Sequence, residues 1–292
     1  MSQSRLAAAI GALNDALGAS WTAESSLAGG WNEGAHVIVD AKGTRLVLKW
    51  TDREPERLLR ARSVIAAAQA AGWPTASWIA ALDLGDGLAC CLQELVTGRR
   101  PERLDRELAS QILNILDIQA GLRPDAIVDW SDWVRGSVLE DWDDQRAPVR
   151  ARFPLGRQIV AQADRVAAAC AHTALPGDDL VHGNLGLDNL IQTPDGDLVT
   201  VDAQSVGCGT RVYDVVGVVL TAAGHGESAP DAERLLLDYA LAVAGPGPLA
   251  LCMASTAVSM AEAYLRTGHE SDAPAAAPQI LRLLNQCADQ VA

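Results

Sequence analysis

Lysine occurs only twice in this 292-residue chain, at Lys42 and Lys49, and every other basic side chain is arginine. Basic residues are outnumbered by acidic ones, 23 against 37, which gives a formal charge of -14 and a pI near 4.7. A surface of that sign repels phosphate backbones and anionic lipid, so neither nucleic acid nor a membrane is an expected partner. The same balance is also what a plain solubilising surface would give. No uninterrupted apolar run of membrane-spanning length occurs, and the first twenty residues place Leu6, Ile10, Leu13 and Leu17 at helical spacing rather than in a leader pattern. A cytoplasmic location is the expectation. Cysteine is present but unorganised: Cys90, Cys91, Cys170, Cys208, Cys252 and Cys287 form no Cys-x-x-Cys, which signals neither a disulfide framework nor a zinc site. Also absent are Gly-x-x-x-x-Gly-Lys-[Ser/Thr], Gly-x-Ser-x-Gly and His-Glu-x-x-His, and with them the chemistries those motifs carry.

What the chain does contain is one organised polar stretch, Leu180-Val181-His182-Gly183-Asn184-Leu185-Gly186-Leu187-Asp188-Asn189-Leu190-Ile191, followed by Asp197-Leu198-Val199-Thr200-Val201-Asp202. Locally it reads as an apolar strand end, a polar loop, a second strand, a turn at Pro194-Asp195-Gly196, and a third strand ending in an acid. His182, Asn184, Asn189 and Asp202 then fall on the ends and connecting loop of a small β-ribbon. Short loops between buried strands hold catalytic atoms with little freedom.

This spacing resembles the catalytic loop of the protein-kinase superfamily in the form used by the aminoglycoside phosphotransferase and choline kinase branch, His-Gly-Asp with a later Asn, then a metal-binding Asp after a hairpin. The resemblance implies ATP (or GTP) and Mg²⁺ as cofactors and Asn189 and Asp202 as metal ligands; His182, as a packed loop histidine, is expected to brace the loop. The resemblance also implies a carboxylate at 184, where this chain has Asn184. An amide cannot take a proton from an attacking hydroxyl near neutral pH. Positioning and charge stabilisation survive such a change, but losing a general base costs roughly 10²- to 10⁴-fold in rate.

The first third reads as an antiparallel meander from about Trp21 to Trp50, with Gly29-Gly30-Trp31-Asn32-Glu33-Gly34 between two strands. By resemblance Gly29 and Gly30 belong to a phosphate-covering loop; by local chemistry alone they also suit a plain hairpin turn. Lys49 ends the strand Leu46-Val47-Leu48-Lys49 and resembles the third-strand lysine that holds the α- and β-phosphates. Without the resemblance it would be an edge lysine facing water. A helix follows from about Pro55 to Ala71, where the family places a Glu to pair with that lysine. Glu56 is the candidate, ahead of Glu54, although an acid in a first turn is also what the helix dipole favours. Strands around Thr75–Leu82 and Leu88–Glu94 lead to Leu95-Val96-Thr97-Gly98. This segment resembles the linker whose backbone, at Glu94 and Val96, meets the adenine edge.

From Leu104 the period turns helical, with segments near 104–120, 131–146, 156–173, 230–244, 248–267 and 276–290, and Pro246-Gly247-Pro248 as punctuation. The expected fold class is α+β, a protein-kinase-like two-lobed fold with a small antiparallel sheet lobe over residues 1–98 and a mainly helical lobe over 99–292. Acids at Asp129, Asp132, Glu140, Asp141, Asp143 and Asp144 interleave with Trp130, Trp133 and Trp142, which suits a cationic small-molecule acceptor and equally a charged helix face over packed tryptophans. Gly207-Cys208-Gly209 through Asp214 resembles the run after the metal ligand, with Asp214 expected to accept backbone donors from the catalytic loop. Two functions remain in play: a small-molecule phosphotransferase slowed at Asn184, and a nucleotide- or partner-binding module without turnover.

Overall fold

In the computed structural model, residues 3–27, 35–51, 54–125, 128–140, 143–267 and 269–291 are described. Five antiparallel strands, β1 (Thr22–Ser26), β2 (His36–Val39), β3 (Arg45–Thr51), β4 (Trp78–Gly85) and β5 (Leu88–Glu94), form one sheet in the order β1-β2-β3-β5-β4. Alternation in β3 decides what each face does. Leu46, Leu48 and Trp50 point outward to join Ile38, Ala80, Cys90 and Leu92 beneath Ala9 and Leu13 of α1 (Gln3–Leu17). Val47 and Lys49 take the other face, with Cys91 opposite Lys49 in the register. Helix α2 (Pro55–Ala70) covers part of that inner face with Leu58, Ala61, Val64, Ile65 and Ala68, packed among Trp78, Ala89 and Cys91.

The remainder is helical: α3 (Arg106–Gln119), α4 (Trp130–Leu139), α5 (Asp143–Arg152), α6 (Gly156–Ala169), α7 (Val212–Gly224), α8 (Pro230–Ala244), α9 (Pro246–Arg266) and α10 (Ala273–Ala288). Between α6 and α7 run four three-residue strands, β6 (Asp179–Val181), β7 (Leu190–Gln192), β8 (Leu198–Thr200) and β9 (Gly207–Gly209). They pair as β6 with β9 and β7 with β8. Helix α9 is long and apolar enough to cross a membrane by length and composition, but 72% of its apolar window is buried here, packed against α4 to α8 and α10. All six cysteines are free and buried.

Four sequence expectations are corrected. The segment 131–146 is two helices rather than one, because the Arg146 guanidinium donates to Ser137 O at 2.9 Å and Val138 O at 2.7 Å and so satisfies the last carbonyls of α4. Helix α7 was not anticipated: Val212, Val215, Val216, Val218 and Val219 disfavour a helix intrinsically, yet all five are fully buried and packing overrides propensity. The strand before His182 pairs with Gly207–Gly209 rather than with the ribbon that follows it. Pro246-Gly247-Pro248 punctuates the chain from inside α9, which starts two residues before the expected 248, since a first-turn proline gives up no intrahelical hydrogen bond.

The sheet and the helical part meet along short stitches. Thr75 Oγ1 donates to Thr200 O at 3.1 Å, Thr200 N donates to Pro74 O at 2.8 Å, and Arg99 N donates to Gln192 O at 3.0 Å. A Cβ on Gly98 would lie 2.3 Å from Gln192 O, so only glycine lets the linker pass this close to the ribbon. The turn between α2 and β4 and the far end of the linker are thus both fastened to the β7–β8 hairpin.

Candidate active site

Register places the polar ends of the ribbon together. Leu190 faces Thr200, and Val201 N donates to Asn189 O at 2.9 Å, so Asn189 and Asp202 leave the hairpin at the same end. Asp202 adopts φ 62°, a left-handed conformation that costs a non-glycine residue and turns its carboxylate out of the strand line. Across the cleft, Lys49 Nζ reaches Asp202 Oδ1 at 2.7 Å, with side chains 16% and 34% exposed. A lysine from the sheet and an aspartate from the helical part therefore converge from elements about 150 residues apart in sequence.

The loop between β6 and β7 is braced from behind. His182 N donates to Asp214 Oδ2 at 2.7 Å and Gly183 N to Asp214 Oδ1 at 2.9 Å, as expected of Asp214. Gln119 Nε2 donates to Oδ2 at 3.0 Å. Burial pushes the Asp214 carboxyl above the ordinary range, opposed by the neighbouring His182 and by these three hydrogen bonds. The buried His182 ring accepts from Asn184 N at 3.3 Å through Nδ1 and lies 3.0 Å from Val201 O through Nε2, so a ring protonated on Nε2 satisfies both and ties the loop to the end of β8. Asp179, at the start of β6, accepts from Gly121 N and from the Arg211 guanidinium at 2.9 Å, and Arg211 continues through Tyr239 to Asp117.

Trp130 seals one flank. Gly183 has φ 79°, and a Cβ there would lie 2.3 Å from the Trp130 ring. The indole donates to Ser205 O at 3.0 Å, stacks on Tyr213 at 4.7 Å, and carries the Arg57 guanidinium of α2 at 5.5 Å from its ring centre. One tryptophan thus touches the His182 loop, the segment after Asp202 and α2.

In front, Asn184 is exposed and its side-chain amide makes no hydrogen bond with the described residues; its carbonyl accepts from Asn189 Nδ2 at 2.7 Å. That leaves Asn189 Oδ1 as a second hard oxygen donor at the hairpin end that also carries Asp202. Two such oxygens suit Mg²⁺, which takes few protein ligands and completes its shell with water and phosphate. Among the described residues there is no group of three or more His, Cys, Asp and Glu that would hold a metal unaided. Asp188 points away, 3.8 Å from Arg100.

Glu56 does not join the site. Its side chain is exposed on the first turn of α2, and the carboxylate ion-paired with Lys49 is Asp202. The helix starts at Pro55, which puts Glu56 at its very end instead of on the face over β3. In the linker, Glu94 N donates to Ser77 O at 2.8 Å, while the backbone of Val96 is engaged by none of the described residues. Gly29 and Gly30 lie outside the described residues. Gln119 and Trp130 were missed as supports of the loop. Gln119 carried a signal, a polar side chain in step with Leu108, Ile112, Ile115 and Leu116 on a buried helix face.

The sequence pattern of the phosphotransferase enzyme family matches residues 25–252. No curated protein matches the chain in sequence. Among solved structures, a thermostable mutant of the aminoglycoside phosphotransferase APH(4)-Ia superposes with a TM-score of 0.71 at 16% identity, covering 95% of this chain and 98% of its own. The amicoumacin kinase hAmiN, solved in complex with AMP-PNP, Ca²⁺ and Ami, gives 0.63 at 13% identity over 99% and 96%. The choline kinase LicA from Streptococcus pneumoniae gives 0.61 at 11% identity over 96% and 98%.

Proposed function

This chain belongs to the phosphotransferase enzyme family, and from that premise we propose that it transfers the γ-phosphate of ATP or GTP to a hydroxyl of a small molecule. Lys49 would hold the α- and β-phosphates, Asn189 and Asp202 would hold Mg²⁺, and the linker backbone at Glu94 and Val96 would meet the base. Asn184 would face the acceptor hydroxyl and His182 would hold the loop. Residues 1–98 would form the nucleotide lobe and 99–292 the lobe carrying the loop and acceptor site. The observation that carries this reading is the 2.7 Å approach of Lys49 to Asp202 with Asn189 at the same hairpin end. Mg²⁺ would supply charge neutralisation between the phosphate oxygens; this chain's own residues orient and screen.

Proteins of this fold include one solved with hygromycin B, an amicoumacin kinase and a choline kinase, and a cationic acceptor would suit Asp132 and Trp133, whose ring meets Trp130 edge-on. Six free thiols and a nucleotide substrate fit a cytoplasmic setting. The second reading, a nucleotide-binding module without turnover, draws on the amide at Asn184 and on the absence of an acid from α2 beside Lys49.

The test is thermal unfolding with and without Mg·ATP. Binding to the folded state alone adds about 2.7 kcal/mol at a hundredfold excess over Kd, so the melting temperature of the unaltered chain should rise, and Lys49→Ala and Asp202→Ala should abolish the rise. No shift at millimolar Mg·ATP or Mg·GTP overturns the nucleotide site itself.

A further inference from the structure

Helix α2 ends in a closed form. Gly72 takes φ 94°, its N–H donates to Gln69 O at 2.9 Å, and Trp73 N donates to Ala68 O at 2.9 Å. This pair of bonds satisfies carbonyls of the last turn and fixes the path of the chain as it leaves the helix. Trp73 is 2% exposed, and its ring meets the His182 ring edge-on, with centroids 6.0 Å apart and planes at 64°. Its indole N–H finds no acceptor among the described residues. A buried tryptophan usually gives that hydrogen a partner; this one contributes its ring and not a hydrogen bond.

The next three residues are bonded to a single residue of the ribbon. Pro74 O accepts from Thr200 N at 2.8 Å and from Thr200 Oγ1 at 3.0 Å; Thr75 Oγ1 and Ala76 N each donate to Thr200 O at 3.1 Å. From α2, Gln69 Nε2 holds this turn through Thr75 O at 2.8 Å and Ser77 Oγ at 3.1 Å. Residues 73–76 therefore touch the helical part at two points, the His182 ring and Thr200, which lies two residues before Asp202. Those points are joined to each other: His182 Nε2 lies 3.0 Å from Val201 O, and Val201 N donates to Asn189 O at 2.9 Å. Val201 thus ties Asn189 to Asp202, and the turn holds that tie from two sides.

Resting on the phosphotransferase reading above, we propose that Trp73 and Thr75 are positioning residues for the metal: through His182 and Thr200 they set the separation of Asn189 and Asp202. Neither touches nucleotide or metal. An edge-on ring in a close-packed site leaves the imidazole one plane, whereas a flexible aliphatic chain lets it tilt and carry Val201 O with it. Mg²⁺ tolerates little departure from octahedral geometry, so its binding registers a small spread of the two oxygens. Lys49 reaches the phosphates from β3, outside this network, and its contribution to nucleotide affinity is independent of the turn.

The experiment measures affinity for Mg·ATP and for ATP in EDTA, by titration calorimetry on the full chain, in the unaltered protein, Trp73→Leu, Trp73→Phe and Thr75→Val. Losing a group that orients metal ligands costs roughly 10- to 100-fold in metal affinity. Acting one step further out, Trp73→Leu should weaken Mg·ATP about tenfold and metal-free ATP less than about twofold. Trp73→Phe keeps a ring against His182 and should stay within about twofold of the unaltered chain for both forms. Thr75→Val keeps the side-chain shape but removes one hydrogen bond to Thr200, and should weaken Mg·ATP about threefold. It carries the test should Trp73→Leu fail to fold. Equal losses with and without Mg²⁺, no loss in either the leucine or the valine variant, or equal losses in the leucine and phenylalanine variants overturn this inference and leave the phosphotransferase reading standing. An unaltered chain that binds neither form overturns both, and one that binds the two forms equally overturns the metal assignment together with this inference.

Discussion

Behind the His182–Asn189 loop, buried side chains brace the backbone through charged and main-chain partners; in front of it, Asn184 is exposed and its side-chain amide bonds none of the described residues. The rear is built of Asp214 accepting from two backbone amides, Gln119 bracing Asp214, and Asp179 tied through Arg211 to Tyr239 and Asp117. The front is Asn184, which contributes only its backbone to the framework. Loop geometry and the group proposed to face the acceptor are therefore separable here. The first depends on main-chain hydrogen bonds that are indifferent to residue 184, the second on a single side chain that the fold does not require.

The sharpest way to test that separation is Asn184→Asp. With loop geometry already set, restoring a proton acceptor should raise single-turnover phosphorylation of a responsive acceptor by roughly 10²- to 10⁴-fold. Unfolding free energy should move by less than about 0.5 kcal/mol, as for surface substitutions elsewhere. An unchanged rate with acceptor bound would mean that the front lacks more than a base and would favour the reading without turnover.

Next in size comes the rear. Asp214→Asn keeps one acceptor oxygen but sets an N–H against a backbone donor, which should cost about 1–3 kcal/mol in denaturant unfolding. The variant also reports on pH. Burial raises the folded-state pKa of Asp214 above its unfolded value, so the folded chain holds that proton more tightly. This contribution to stability is complete below the unfolded pKa and is lost as pH rises through the folded one. Asp214→Asn should remove that part of the slope; an identical pH profile would show that Asp214 is not the group responsible.

The same division governs what could be read from the sequence. The sheet was legible because short runs of apolar residues are bounded by turns at Gly43 and at Gly85-Asp86-Gly87. The front of the site was legible because Asn184, Asp188 and Asn189, set between two apolar strands, are costly to bury, so this stretch had to form a loop that brings them to solvent or a ligand. The rear was mostly hidden. The valines of α7 carry no helical periodicity of polarity, since the helix is buried nearly all round. Gly207-Cys208-Gly209 gives no alternating pattern from which its pairing with β6 could be inferred. Nor does sequence distance hint that Trp130 would lie on Gly183 or that Arg57 would lie over Trp130.

The smallest expected effect concerns α2, where the family resemblance implied an acid facing Lys49 and the structure puts Asp202 instead. Glu56 sits exposed in the first turn, where its carboxylate interacts with the helix N-terminus at a value of about 0.3–1 kcal/mol. Its neighbour Arg57 makes one of the contacts between α2 and the helical part, over Trp130. Glu56→Gln should therefore lower stability by no more than that dipole interaction and leave the Mg·ATP-induced rise in melting temperature unchanged, whereas Arg57→Ala should lower stability without touching Lys49. If Glu56→Gln instead erased the nucleotide shift, α2 would have to turn in the nucleotide-bound state and carry Glu56 to Lys49. The front of the site would then be assembled on binding, and only the rear would be preformed.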